Sequence, residues 1–231
     1  WTVSQNLPNK SWNSITYGNG TFVAVADATS GTTNTVVTST NGSTWDSYNS
    51  GKVYDWWSVT YNSSSNTFCS VGNDTAAYML SDDDGQSWDA AKSGQTYNSI
   101  TSTNIRIATI GDDYFSISTS TTNLPPVLLD KPKTWNSITY GKGKFVAVAD
   151  ATGGIGDTVV VITGTSNTDA SQNYYNSADT LNWISVTHGL GVFVAVSSDG
   201  SVMISSDGTN WGKIFGSPFS MVIGLQLLSD N

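Results

Sequence analysis

Residues 12–29, WNSITYGNGTFVAVADAT, recur at 135–152 as WNSITYGKGKFVAVADAT, identical at sixteen of eighteen positions and displaced by 123 residues. That displacement is three times 41, and weaker copies lie between and after these two. An aromatic-x-Ser-(Ile/Val) start appears at Trp12, Trp56, Tyr97, Trp135 and Trp183, with a further start near Phe219. A period of this length means one supersecondary unit copied along the chain, each copy burying its apolar face against the next.

The residue choice says what the unit is made of. All eighteen acidic residues are Asp, there is no Glu, and Arg106 is the one arginine. Helix-favouring Glu and Arg are thus nearly missing, while Asp, Asn, Ser, Thr and Gly supply turns, and Val, Thr, Trp and Tyr supply strands. In the first copy four strand-sized segments follow one another: WNSITY, TFVAVAD, NTVVTST and the stretch from Trp45. The FVAV runs at 22–25, 145–148 and 193–196 are apolar at every position, as a strand is when both its faces are covered. Four strands per repeat of about 41 residues fits a blade sandwiched between neighbours. The chain therefore reads as one all-β domain over 1–231, a β-propeller with repeats at about 12–55, 56–96, 97–134, 135–182 and 183–218. The terminal stretches 1–11 and 219–231 would share a composite sixth, closing blade, with a ring of five blades as the alternative. The glycine pair of YGNG and YGKG is expected to serve a tight hairpin between the first two strands. With no initiating Met, the chain is expected to be processed or cut from a longer protein.

Several repeats end in a polar turn and a tryptophan. SDDDGQSW carries Ser81, Asp83, Gly85, Ser87 and Trp88; STNGSTW carries Ser39, Asn41, Gly42 and Trp45; SSDGTNW carries Ser205, Asp207, Gly208 and Trp211. Ser with Asp or Asn can bond the amides of a tight turn, Gly takes its strained dihedral and Trp fills space between sheets. The first of these resembles the Asp-box, S-x-D-x-G-x-(T/S)-W, and the other two resemble a form shortened by one residue. The string W-x-S-I-x-Y-G-x-G-x-F-V-A-V is also similar to repeats of bacteriophage tail and virion-surface proteins. The resemblance implies a propeller in which the box is a structural turn away from any active site. Two repeats depart from it: Leu124 stands where Trp is expected, and the fourth repeat carries a polar insertion over roughly 153–180.

Much chemistry is excluded. The Asp-box family includes sialidases, whose site needs three arginines and a Tyr/Glu pair, which one Arg and no Glu cannot build. The single histidine, His188, occupies a slot held by Tyr17 and Tyr140 in other repeats and so reads as structural rather than as part of a triad. Zinc lacks ligands. Asp82–Asp84 and Asp112–Asp113 read as solvated turns, so no cofactor is expected, Ca²⁺ being the one metal left open. A net charge of −9 opposes nucleic acid and anionic membrane surfaces, and no run of eighteen apolar residues exists to insert into a bilayer. Three aromatics are left unexplained by the repeat and are the candidate ligand-binding residues: Trp57, at a slot that is Asn in the first, third and fourth copies, and Tyr174 and Tyr175 in the insertion. The expectation is a non-enzymatic structural or recognition module of a virion surface, a phage tail-fibre, receptor-binding or capsid-decoration protein. Its partners would be other virion or surface proteins or a host glycan, with a homo-oligomer left open. The alternative is a secreted or cell-surface propeller that binds glycan or protein. A glycan hydrolase with an Asp pair at the ring centre is the remaining, enzymatic alternative.

Overall fold

The computed structural model describes residues 7–28, 31–72, 77–92, 95–119, 124–151 and 156–214. Among them, twenty strands form five four-stranded antiparallel sheets. Blade 1 holds β1 (Trp12–Gly18), β2 (Thr21–Ala26), β3 (Val36–Ser39) and β4 (Asp46–Tyr48). Blade 2 holds β5 (Trp56–Asn62), β6 (Thr67–Gly72), β7 (Ala77–Ser81) and β8 (Asp89–Lys92). Blade 3 holds β9 (Ser99–Ser102), β10 (Ile107–Ile110), β11 (Tyr114–Ser118) and β12 (Val127–Leu128). Blade 4 holds β13 (Trp135–Gly141), β14 (Lys144–Ala149), β15 (Val159–Thr163) and β16 (Ser171–Tyr175). Blade 5 holds β17 (Trp183–Gly189), β18 (Val192–Ser197), β19 (Val202–Ser205) and β20 (Gly212–Ile214). The first strands, β1, β5, β9, β13 and β17, surround one central cavity. Most of residues 1–11 and all of 219–231, assigned to a composite sixth blade, lie outside the described residues.

The all-apolar second strands are buried for the expected reason. In β14, Phe145 and Ala147 join a cluster with Ile110 and Phe115 of blade 3 and Trp135 of their own blade. Val146 and Val148 turn the other way, against Trp183, Phe193 and Met203 of blade 5. β14 thus contributes to two inter-blade cores, and every residue from Phe145 to Ala149 is buried. The outward faces of the first and last blades are less covered. Ile15 is 46% exposed, whereas its counterparts Val59, Ile100, Ile138 and Val186 are each 5% exposed.

Hydrogen bonds repeat between blades as regularly as the cores. The hydroxyl of the aromatic-x-Ser serine accepts the next blade's backbone N–H: Ser14 from Val59 (3.2 Å), Ser58 from Ile100 (3.3 Å), Ser99 from Ile138 (3.2 Å) and Ser137 from Val186 (3.1 Å). Hairpin tips reach further. Asn19 donates to the Asp84 carboxylate at 2.8 Å, while Lys142 and Lys144 reach the carbonyls of Ser206 (2.7 Å) and Asp207 (2.9 Å).

The glycine pair of the hairpin divides its work, a correction to the expectation that both serve the turn. The positive dihedrals belong to Asn19 (φ 47) with Gly20 (φ 80) and to Lys142 (φ 49) with Gly143 (φ 80), a two-residue turn left-handed at both positions. The first glycine is needed for space. A Cβ on Gly18 would stand 2.1 Å from Cγ of Tyr61, and one on Gly141 would stand 2.3 Å from Cγ of His188. In blade 5 the turn begins with Leu190 at φ 49, which is 91% exposed. A left-handed Leu costs about 1–2 kcal/mol, and Asn tolerates that region better. Leu190→Asn, copying Asn19, should raise stability by about 0.5–1 kcal/mol in thermal or urea unfolding.

The 153–180 segment also needs correcting. It is no mere insertion, for it supplies β15 and β16, and blade 4 is four-stranded like the others. In place of the box, the Asp169 carboxylate accepts the backbone N–H of Thr165 and Ser166. In blade 3, Leu124 does take the place of the missing tryptophan in the core, at 4% exposure, and its carbonyl accepts from the Tyr97 hydroxyl.

Candidate functional site

The central cavity, about 560 Å³, is walled by the Ser and Thr hydroxyls and the Ile and Val side chains of the five first strands. Its mouth is formed by the residue that follows each blade's leading aromatic: Asn13, Trp57, Asn98, Asn136 and Ile184. A second hollow of about 420 Å³ lies over these residues, with Asp112 and Thr134 beside them.

The three asparagines are ties between blades. Asn13 donates one Nδ2 hydrogen to its own blade's Asp27 (2.5 Å) and the other to the carbonyl of Trp56 in the next blade (3.0 Å). Asn98 does the same with Asp112 (2.7 Å) and Trp135 (2.9 Å), and Asn136 with Asp150 (2.7 Å) and Trp183 (2.9 Å). Blade 2 replaces this tie with the half-buried indole of Trp57, and blade 5 replaces it with Ile184, 37% exposed. The mouth therefore combines a polar, structurally committed rim with two apolar positions, Trp57 and Ile184, that lack the asparagine tie.

Trp57 thus stands at the mouth, whereas Tyr174 and Tyr175 lie on the outermost strand of blade 4. Tyr174 packs against Trp135 with ring centroids 6.1 Å apart, its hydroxyl accepts from Lys131 N and donates to Gln172, and the Lys131 ammonium sits 5.3 Å from its ring. Tyr175 packs against the core shared by blades 4 and 5. The three aromatics do not converge on one site. The residues that sequence reasoning passed over are Asn13, Asn98, Asn136 and Ile184, while Asp112, read as part of a solvated turn, stands beside the mouth. The asparagines matched the repeat and drew no attention, and Ile184 stands at the same slot as Trp57.

The box residues form turns. Asp83 Oδ1 accepts the N–H groups of Gln86 (3.1 Å) and Ser87 (2.9 Å), while Ser81 Oγ donates to Asp83 (2.8 Å) and accepts from Gly85 (2.9 Å). Asp207 and Ser205 repeat this around Thr209, Asn210 and Gly208, and Asn41 and Ser39 around Ser43, Thr44 and Gly42. The glycines have φ of 70 (Gly42), 85 (Gly85) and 78 (Gly208). Trp88 and Trp211 donate their indole N–H to the carbonyls of Gly85 (2.8 Å) and Gly208 (3.2 Å), and Trp45 lies 6.4 Å from the Phe22 ring. The amides of Asn210 and Thr209 hold the Asp207 carboxyl far below the usual range. Burial pushes the Asp83 carboxyl up, but bonds from Ser87, Ser81 and Gln86 outweigh it and leave it low. These carboxylates are occupied with their own turns, and among the described residues no three His, Cys, Asp or Glu side chains gather as metal ligands.

The remaining reactive groups are packed away. Burial pushes the Cys69 thiol up to about 12, so it is protonated at neutral pH. Arg106 lies between blades 3 and 4, donating to the Gly164 carbonyl (2.6 Å) and standing 5.6 Å from the Tyr140 ring. His188 covers Gly141 and packs on Phe193 at 4.6 Å. Burial, with help from Lys142, lowers its pKa below the ordinary 6.5. The native state thus binds fewer protons than the unfolded chain between the two values, and stability falls as the pH drops through about 6.5. His188→Tyr should remove that loss, read as a flatter pH dependence of Tm between pH 7 and 5.

Five consecutive four-stranded blades around a shared cavity make this chain a β-propeller. No protein-family description matches it, and no curated protein does. Solved structures do match, at identities that speak to fold alone. A structure of YCF48 bound to D1 peptide is 14% identical with a TM-score of 0.62, covering 88% of this chain and 66% of that one. A catalytically inactive virginiamycin B lyase from Staphylococcus aureus with quinupristin is 12% identical with a TM-score of 0.72, covering 90% and 71%. A chain of a nidogen/laminin complex is 9% identical with a TM-score of 0.64, covering 89% and 84%. The chain thus spans about two thirds of the length of the YCF48 structure.

Proposed function

We propose that this propeller is a non-catalytic recognition module displayed on an exposed surface, that of a virion, as a phage tail-fibre, receptor-binding or capsid-decorating component. The observation that carries the recognition reading is Trp57 at the channel mouth, where an indole stands in place of the amide that joins blades elsewhere. A large aromatic that departs from the repeat, beside a cavity and a polar rim, is the usual makeup of a binding hot spot. Non-catalytic action is supported by the lining: among the described residues that line the cavity and its mouth, Asp112 is the one carboxylate. The virion setting rests on the likeness of the WNSITYGNGTFVAV string and the box-like turns to phage tail repeats, and on an acidic chain of net charge −9. A protein partner is favoured over a glycan because structural neighbours include one bound to a peptide and one in a protein complex.

Cryo-electron microscopy of the native particle tests the setting. Symmetric copies of the propeller on the virion, with the Trp57 end at the contact, are expected; a free monomer would overturn the virion reading. Trp57→Ala should lower the fraction of protein that sediments with particles at least about tenfold while shifting Tm by no more than about 3 °C. Unchanged attachment would remove the mouth as the recognition site.

A further inference from the structure

We infer that the channel mouth receives a positively charged side chain, an arginine or lysine presented by a partner protein; this rests on the mouth being the recognition site. The argument is a count of hydrogen-bonding capacity. Each of Asn13, Asn98 and Asn136 sits between a carboxylate and a backbone carbonyl, both acceptors, so its nitrogen must face them and both hydrogens are spent. What these amides can still offer is the acceptor Oδ1. The carboxylates of Asp27, Asp112 and Asp150 lie one hydrogen bond behind, and each uses one oxygen for its asparagine. None of the three has an ion-pair partner among the described residues, whose two salt bridges are Lys131–Asp157 and Lys213–Asp179. Lys133 touches the mouth through its backbone, whose N–H donates to the Asp112 carbonyl at 3.1 Å.

The mouth is therefore rich in acceptors, carries net negative charge and has an indole on one side. A sugar hydroxyl needs a donor as often as an acceptor, and the three asparagines of the rim have no hydrogen left to give it. An anionic group is repelled. A guanidinium or ammonium presents donors only, is attracted by the carboxylates and can rest against the Trp57 ring. The hollow of about 420 Å³ opens onto the deeper cavity, leaving room for a long side chain to enter tip first. The acceptors sit on three separate blades, each tied to the next by its asparagine, so little ordering accompanies binding.

The test is a titration of ¹⁵N-labelled protein with capped Gly-Arg-Gly and with the same peptide carrying citrulline, which keeps the shape and loses the charge. The arginine peptide should shift the side-chain amide signals of Asn13, Asn98 and Asn136 and the indole signal of Trp57. The citrulline peptide should bind at least about fivefold more weakly, and 0.5 M salt should weaken the arginine peptide by a similar factor. Asp112→Asn preserves the bond to Asn98 and should reduce affinity about threefold to tenfold. Equal binding of citrulline, or stronger shifts from a neutral sugar, would overturn the charge inference and leave the mouth as a recognition site. An absence of shifts while Trp57→Ala still releases the protein from particles would overturn it in the same way. Full attachment of Trp57→Ala is the separate result that removes the recognition reading itself.

Discussion

Trp135→Ala is expected to cost about 3–5 kcal/mol and to lower Tm by roughly 10 °C or more in a calorimetric scan. The side chain is fully buried and belongs to the core shared by blades 3 and 4, with Ile110, Phe115, Ile138 and Phe145 around it. Tyr174 packs on its outer side, so the loss would open a void that two blades and an edge strand must close. The indole nitrogen finds no partner among the described residues. An unpaired buried N–H is itself unfavourable, which makes Trp135→Phe the informative companion. It should cost less than half as much as the alanine change. Equal losses from Phe and Ala would mean that the ring's outer half, rather than filled volume in general, holds the blades together.

Gly18→Ala is expected to cost about 2–3 kcal/mol, read by urea unfolding. The new Cβ would lie within 2.1–2.6 Å of three atoms at the base of the Tyr61 ring. Tyr61 cannot simply flex away. It packs on Phe68 at 4.8 Å and its hydroxyl donates to Asn66, so the ring must leave its place between the blades. Removing the ring should remove the clash, and the double variant Gly18→Ala/Tyr61→Ala should be at least about 1 kcal/mol more stable than the two single effects predict. Strict additivity would mean that the glycine serves the turn and not the interface.

The fold was largely legible because the repeat announces it. The starts at Trp12, Trp56, Trp135 and Trp183 are the first residues of β1, β5, β13 and β17, and Tyr97 comes just before β9. Segments whose polarity broke the pattern were harder. The stretch 171–175, SQNYY, reads as loop because an outermost strand has one open side and needs few apolar residues, yet it pairs along its whole length with β15. The two roles of the hairpin glycines were illegible for another reason: Gly18 is required by Tyr61, 43 residues later, and spacing along the chain says nothing of that approach. The site was half legible. Trp57 stood out as a departure from the repeat, but the asparagines conform to it, and only their partners in adjacent blades reveal that they rim a cavity with their hydrogens already spent.

The two near-identical hairpins of blades 1 and 4 raise a problem of identity during folding, since either could seat in the other's place with its apolar residues satisfied. They differ at positions 19/142 and 21/144 alone, and three of those four residues are the ones that reach the next blade's turn. Asn19 fits the side chain of Asp84, while two lysines fit the bare carbonyls of Ser206 and Asp207. Exchanged, the lysines would lose both carbonyls and Asn19 its carboxylate. Those positions act as addresses: the common part of the hairpin says how to be a blade, and two residues say which one.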